Sequence, residues 1–295
     1  MTAMPHPSIA VVIATKGRAN EVAVLLDWLA QGTQLPDEVV VVGSGPEDWA
    51  GCDTSPLRPT LLLATQPGLP RQRNAGVHHL LARAVPPDVI LFFDDDFRPH
   101  PSWLEHAARV FAENLDVTGL TGIVLRDGAK TAAITEGEAT RIVSSWQPDD
   151  NGSDPVPRLY GCNMALRSKL FAHARFDERL PLYAWLEDLD FSGQISGRQV
   201  VARGCGGVHL GSKGARVSGR RYGYSQIVNP VYLAQKGTCP APFAAVLVLR
   251  ALTSNLLRSP RNHPIFDYRG RLTGNLHALG DLLRRKAAPE RILEL

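Results

Sequence analysis

Three consecutive carboxylates, Asp94, Asp95 and Asp96, follow the apolar run Val89-Ile90-Leu91-Phe92-Phe93 and precede Phe97-Arg98-Pro99. Carboxylates ejected from the C-terminal end of a buried strand can hold a hard divalent cation, and such a cation is usually shared with substrate phosphates. Asp-Asp-Asp by itself is equally what a solvated acidic turn looks like. A second acidic group, Glu187 and Asp188, sits within Trp185-Leu186-Glu187-Asp188-Leu189-Asp190-Phe191. A carboxylate desolvated by such neighbours suits general-base chemistry, although acids are also favoured in any first helical turn. Lys213, Arg216, Arg220 and Arg221 are interleaved with glycine and serine, the composition of a loop that orders on phosphate and closes over it, or of a flexible basic surface loop.

The elements that must position these groups alternate. Ile9 to Ala14 is a β-branched run that exits through Thr15-Lys16-Gly17-Arg18, and Val22, Leu25, Leu26 and Leu29 then follow a helical period. Glu38 to Val42 and Pro59 to Ala64 predict two further strands, Arg73 to Ala84 a helix, and Val89 to Phe93 the strand that carries the aspartates. Ser102 and Glu105 have capping-box spacing, which predicts a helix running to about Asn114. Thr118 to Leu125 reads as another strand, and Asp149 to Pro157 as a surface loop. Apolar runs alternating with amphipathic helices predict an α/β fold with a Rossmann-like, mostly parallel central sheet flanked by helices.

Composition narrows the function classes. The 295 residues are 44% hydrophobic and 21% charged with a net charge of +3, which describes a globular chain and gives no reason to expect nucleic acid as a partner. Cys52, Cys162, Cys205 and Cys239 lack zinc-site spacing and read as reduced core thiols. Met1 to Ser8 lacks the pattern of a secretory signal, so the expected location is cytoplasmic. Ala241 to Leu257 falls short of a bilayer span and is interrupted by Arg250. It is expected to be a buried helix, with a helix lying on an anionic membrane surface as the alternative.

Taken together, Thr15-Lys16-Gly17-Arg18, Gly68-Leu69-Pro70-Arg71-Gln72-Arg73-Asn74-Ala75-Gly76, Asp94-Asp95-Asp96, Gly161-Cys162-Asn163-Met164-Ala165 and Trp185-Leu186-Glu187-Asp188 resemble, in order, the motifs of family 2 glycosyltransferases of the GT-A fold. The resemblance covers roughly residues 8 to 210. Gly214 to Arg221, Gly223-Tyr224-Ser225-Gln226, Asn229-Pro230 and Asp267-Tyr268-Arg269-Gly270-Arg271-Leu272 are similar to tails of bacterial exopolysaccharide-assembly glycosyltransferases, which implies a helical extension after residue 235. The implied division is 1–115 for the nucleotide sugar, 116–235 for acceptor and catalysis, and 236–295 for that extension.

The resemblance implies an inverting, metal-dependent enzyme (hexosyltransferase-like, EC 2.4) that uses Mn or Mg. Its donor would be a nucleotide-diphosphate sugar. Its acceptor would be a glycan, carried on a lipid diphosphate if the narrower match holds, at the inner face of the cytoplasmic membrane with peripheral membrane contact. Asp96 would ligate the metal, joined by His209, which is otherwise a structural histidine. Asp94 would touch the nucleoside and Asp95 would support it or point away. Thr15 and Arg18 would meet base and ribose, Arg71 and Arg73 the diphosphate, and Asn74 a cap or a ligand hydrogen bond. Asp188 would be the base, with Glu187 orienting the acceptor. Asn163 would contact donor or acceptor, and Trp185 would stack on a sugar or fill the core. One departure concerns Val42-Gly43-Ser44-Gly45, where the family's uracil-reading carboxylate is missing and Ser44 alone remains for the donor, leaving the base open. A sugar-nucleotide-forming nucleotidyltransferase would share the sheet and the metal-binding Asp, but its glycine-rich first loop is reduced here to Gly17. A non-catalytic binding protein with the same fold is the remaining alternative.

Overall fold

The structure, a computed structural model, describes residues 6–66, 68–129, 131–149, 152–212, 218–261 and 263–295. The chain divides into two compact units, one of residues 1–67, 71–175 and 195–215 and the other of residues 68–70, 176–194 and 216–295.

The first unit is built on a single sheet. In chain order its strands are β1 (Ile9–Ala14), β2 (Glu38–Gly43), β3 (Thr60–Leu63), β4 (Val89–Asp94), β5 (Phe97–Pro99), β6 (Val117–Asp127), β7 (Ser153–Pro155), β8 (Asn163–Arg167) and β9 (Arg198–His209). They are ordered β3-β2-β1-β4-β8-β6-β9-β5, with β7 also pairing β9. The first four strands are parallel. β8 runs antiparallel to both β4 and β6, so the sheet, expected to be mostly parallel, is mixed in its second half. β1, β2 and β4 are nearly continuous Val, Ile, Leu and Phe because they are covered on both faces, and each is buried almost throughout. Helices α1 (Ala19–Ala30), α2 (Leu69–Leu81), α3 (Trp103–Glu113) and α4 (Glu136–Ser145) connect them. Gly76 lets α2 approach closely: a Cβ there would lie 2.6 Å from Val12 Cγ1. All four cysteines are free and buried.

Two local expectations need correction. α3 begins where Ser102 predicts, but without a capping box. The Ser102 hydroxyl pairs with His100 Nδ1 at 2.8 Å, and Glu105 accepts from Thr33 Oγ1 at 2.6 Å. The described part of the Asp149–Pro157 stretch contains β7, an edge strand whose Pro155 is tolerated because it pairs on one side only.

The second unit contains α5 (Glu187–Gln194), α6 (Gly219–Lys236), α7 (Ala241–Arg258) and α8 (Tyr268–Leu283). Arg220 and Arg221 belong to the first turn of α6, where Ser218 Oγ accepts from the Arg221 N–H at 3.3 Å, rather than to a loop. Lys213 and Arg216 lie outside the described residues. The expected burial of 241–257 is overturned: only 17% of α7 is buried. Val246, Leu249, Leu256 and Leu257 are exposed on its outer side.

Candidate active site

Strand order brings the sequence-distant groups to one end of the sheet. Register pairs Phe97 of β5 with His209 of β9, and pairs Asp127 of β6 with the same His209. The Leu210 N–H donates to the Asp96 carbonyl at 2.9 Å, which ties the end of β9 to the aspartate turn. His209 Nε2 consequently lies 3.3 Å from Asp96 Oδ1 and 3.8 Å from Asp94 Oδ2. His209 Nδ1 donates to Asp127 Oδ1 at 3.0 Å, and Tyr160 donates its hydroxyl proton to the other Asp127 oxygen at 2.9 Å.

Asp94, Asp96 and His209 each offer one ligand atom, and these atoms lie within 4.8 Å of one another. Two carboxylates and an imidazole suit Mn²⁺ or Mg²⁺. Asp127 supplies the partner that a metal-bound histidine needs on its other nitrogen, fixing the tautomer that leaves Nε2 free to ligate. By both tests the donor set fits a divalent cation.

Asp95 has a different task. It is fully buried, accepts from Thr15 Oγ1 at 2.8 Å, and pairs with Arg18 at 2.6 Å. Arg18 also reaches Asp96 Oδ2 and the Ser212 carbonyl, at 3.3 and 3.4 Å. Thr15 and Arg18 are thereby clamped over the aspartate turn. Arg73 differs from expectation. It is 1% exposed, donates to Asp94 Oδ1 at 3.0 Å and to the Gly161 carbonyl at 2.8 Å, and stacks over Phe92. It orients Asp94 rather than reaching outward. Asn163 is also fully buried, its Oδ1 accepting from Thr121 at 2.5 Å, so it braces β8 against β6. Arg71 and Asn74 occupy the first turns of α2, partly exposed.

Several residues that hold the site escape sequence reading. Asp48 Oδ1 accepts from Gly17 N–H at 2.6 Å, and its Oδ2 from Ser44 and Gly45 N–H at 2.7 and 3.2 Å. The Asp48 carboxylate is therefore occupied with the backbone of the loops that follow β1 and β2. The Ser44 hydroxyl is buried without a hydrogen-bond partner among the described residues. Gln72 donates to the carbonyls of Thr15 and Val42 at 2.6 and 2.9 Å, joining the exits of β1 and β2. Arg98, fully buried, donates to the Asp95 carbonyl at 3.0 Å and pairs with Glu21 and Glu136 at 2.7 and 2.5 Å. Ser212 closes the ring, its N–H on Asp96 at 2.7 Å and its hydroxyl on Glu21 at 2.8 Å. Beside this ring an open cleft of about 640 Å³ is lined by Gly17, Arg18, Asn20, Glu47 and Ser212.

Charge sharing separates the three acids. Burial raises Asp94 despite Arg73 and His209. Burial likewise pushes Asp95 up to about 7, against the opposing Arg18 and Thr15. Burial would raise Asp96 too, but His209, Arg18 and the Ser212 N–H together hold it below the usual carboxylate range. Burial would lower His209, yet Asp127, Asp96 and Asp94 raise it to about 10.

That last shift has a testable sign. In metal-free protein the folded state holds the His209 proton more tightly than the unfolded chain. The stability it contributes is complete below the unfolded value of 6.5 and is lost as pH rises through about 10. In chelator, urea unfolding between these pH values should show wild-type stability falling more steeply than that of His209→Gln. Parallel curves would contradict the assignment.

In the second unit, Glu187 and Asp188 open α5. Glu187 is buried, and Asp188 Oδ1 accepts from the Leu189 N–H at 2.8 Å. Leu182, Ala184 and Leu186 all have positive φ, at 58°, 51° and 75°. Such a concentration of left-handed non-glycine residues is strain that surrounding structure must over-determine, and strain of this kind clusters at functional sites. The restraint is visible. Asp190, fully buried, accepts from Lys236 Nζ, Gln194 and Thr238 at 2.7, 2.9 and 2.6 Å, and Asn229 donates to the Trp185 carbonyl at 2.8 Å. Trp185 packs edge-on to Tyr222 at 6.0 Å, and half-exposed Tyr183 lies 6.2 Å from the same ring.

Comparison with known proteins follows the same outline. The family model described as glycosyl transferase family 2 matches residues 10–173. Among solved structures, S. aureus TarS 1–349 in complex with UDP-GlcNAc aligns with a TM-score of 0.59 at 17% identity, covering 97% of this chain and 82% of that one. Glucosyl-3-phosphoglycerate synthase from Mycobacterium tuberculosis, in complex with Mn²⁺, UDP and phosphoglyceric acid, aligns at 0.51 and 16%, covering 79% and 80%. The mannosyltransferase PcManGT from Pyrobaculum calidifontis, in complex with GDP-Man and Mn²⁺, aligns at 0.50 and 16%, covering 95% and 87%. At these identities the likeness is one of fold. A search of curated protein sequences found no match.

Proposed function

The chain belongs to glycosyl transferase family 2, and from that premise we propose that it moves a sugar, with inversion, from a nucleotide-diphosphate donor to a hydroxyl group of a glycan. The observation that carries this reading is the convergence of Asp94, Asp96 and His209, with Asp127 behind the histidine, at the C-terminal end of β4. Ligands of open α/β sheets gather at that end.

Asp94, Asp96 and His209 would hold Mn²⁺ or Mg²⁺, which when bound supplies Lewis-acid stabilisation of the charge developing on the leaving diphosphate. Thr15 and Arg18 are held by Asp95 where base and ribose would lie, and Ser44 would turn its buried hydroxyl toward the donor. Arg71 and Asn74 on α2 would meet the diphosphate, with Arg73 setting the angle of Asp94. As the acceptor oxygen attacks the anomeric carbon, its proton passes to Asp188. The bond to the diphosphate breaks, and the electron pair leaves with the phosphate oxygen. Glu187 would orient the acceptor, Trp185 would stack on its ring, and Arg220 and Arg221 would meet its phosphate. The acceptor class we favour is a lipid-diphosphate-linked glycan of cell-surface polysaccharide synthesis, used at the inner face of the cytoplasmic membrane. Membership of a transferase family favours this over sugar-nucleotide formation or a non-catalytic role.

Thermal-shift binding with UDP-, GDP-, dTDP- and CMP-sugars, each with Mn²⁺, Mg²⁺ or chelator, tests the reading, since a native-state ligand raises apparent stability. One nucleotide sugar should stabilise the protein in metal and not in chelator. Folded protein that responds to none would count against it.

A further inference from the structure

The outer face of α7 is apolar and unpartnered among the described residues, with the exposed Arg250 and Arg261 at its margin. Val246, Leu249, Leu256 and Leu257 are 47%, 62%, 60% and 76% exposed and recur at helical spacing along one side. Thr253 shares that side, but its hydroxyl donates back to the Leu249 carbonyl at 2.8 Å, so burying it would strand no donor. Arg250 lies at the edge of the stripe and Arg261 just beyond its end, both exposed. From Phe191 through Phe266 the sequence contains no Asp or Glu. An apolar groove of about 530 Å³ beside the stripe is lined by Val231, Ala234, Val248, Leu249 and Leu252.

Leucine exposed to this degree over about three turns is costly in water, and an apolar stripe with arginines at its margin fits an anionic bilayer better than an acidic protein groove. The inner face of α7 decides between spanning and lying flat. Asn255, 1% exposed, donates to Gln226 of α6 at 2.9 Å and to Asn275 of α8 at 2.8 Å, and Asn275 in turn donates to the Gly223 carbonyl at 2.7 Å. Crossing a bilayer would break this polar ladder in hydrocarbon. Lying in the interface keeps it intact and lets Arg250 reach the headgroups.

We infer that the Val246–Leu257 face of α7 seats the protein on an anionic lipid bilayer, with the leucines in the headgroup–acyl boundary and Arg250 and Arg261 against lipid phosphates. The inference deepens the proposed use of a lipid-linked acceptor, because a surface-bound enzyme meets such an acceptor where its diphosphate emerges.

The test uses the full chain without nucleotide. It should sediment with phosphatidylcholine vesicles containing phosphatidylglycerol and far less with phosphatidylcholine alone. Leu256→Glu with Leu257→Glu, and separately Arg250→Glu with Arg261→Glu, should each weaken binding at least about tenfold. Thermal-shift binding of the donor should be unchanged in all variants, showing that they fold. Wild-type sedimentation by the leucine variant overturns the inference, as does absence of vesicle binding. Concentration-dependent self-association abolished by the same leucine changes, without vesicle binding, also overturns it in favour of a second copy. Vesicle binding with no response to any donor would instead sink the donor reading and leave the surface standing.

Discussion

Asp188→Asn should lower turnover by about 10²- to 10⁴-fold while leaving metal-dependent donor binding at the wild-type level. The substitution keeps size and the ability to accept from the Leu189 N–H, so α5 should keep its start. What it removes is a group able to take the acceptor proton. The selectivity of this effect follows from anchorage: Asp190 is locked by Lys236, Gln194 and Thr238, and Glu187 is buried. Single-turnover kinetics beside donor titration separate the two quantities, and wild-type turnover in the variant would move the base elsewhere.

Asp96→Ala should have the converse signature, weakening donor binding in Mn²⁺ at least about 100-fold and abolishing the difference between metal and chelator. Asp96 is the centre of the ring: one oxygen faces His209 at 3.3 Å and the other accepts from the Ser212 N–H at 2.7 Å, with Arg18 at 3.3 Å. Its removal costs the cation a ligand and leaves Arg18 a single acidic partner, Asp95, among the described ion pairs. Calorimetric titration of the nucleotide in either condition reads the loss. Affinity that still responds to metal would place the cation elsewhere.

The parts of this fold legible in the sequence were those dictated locally. β1, β2 and β4 are runs of mostly branched and aromatic residues buried on both faces, and six-residue length with β-branched enrichment between turn residues favours a strand over a buried helix. The aspartate turn was visible for the same reason, as charge ejected from the end of such a strand. His209 was found through resemblance. Its partner Asp127 was not, because the two meet by parallel register between β6 and β9, 82 residues apart. Asp48, Gln72 and Arg98 likewise act on backbone groups of other loops, a role with no spacing signature. The place of Arg73 on Asp94 is not legible, because an arginine beside a phosphate motif and one that props a carboxylate look alike in sequence. α7 reads as a core helix because its periodicity reports an apolar stripe but not what covers it. Ser102 and Glu105 had the spacing of a cap, yet His100 and Thr33 offered better partners.

Anomalous scattering from Mn²⁺ in crystals grown with a nucleoside diphosphate tests the central claim most directly. The account predicts one peak shared by Asp94, Asp96 and His209 Nε2, with His209 Nδ1 still donating to Asp127 and the diphosphate on the far side of the ion. A diphosphate bound with Mn²⁺ away from these residues, and His209 still paired with Asp96, would contradict it.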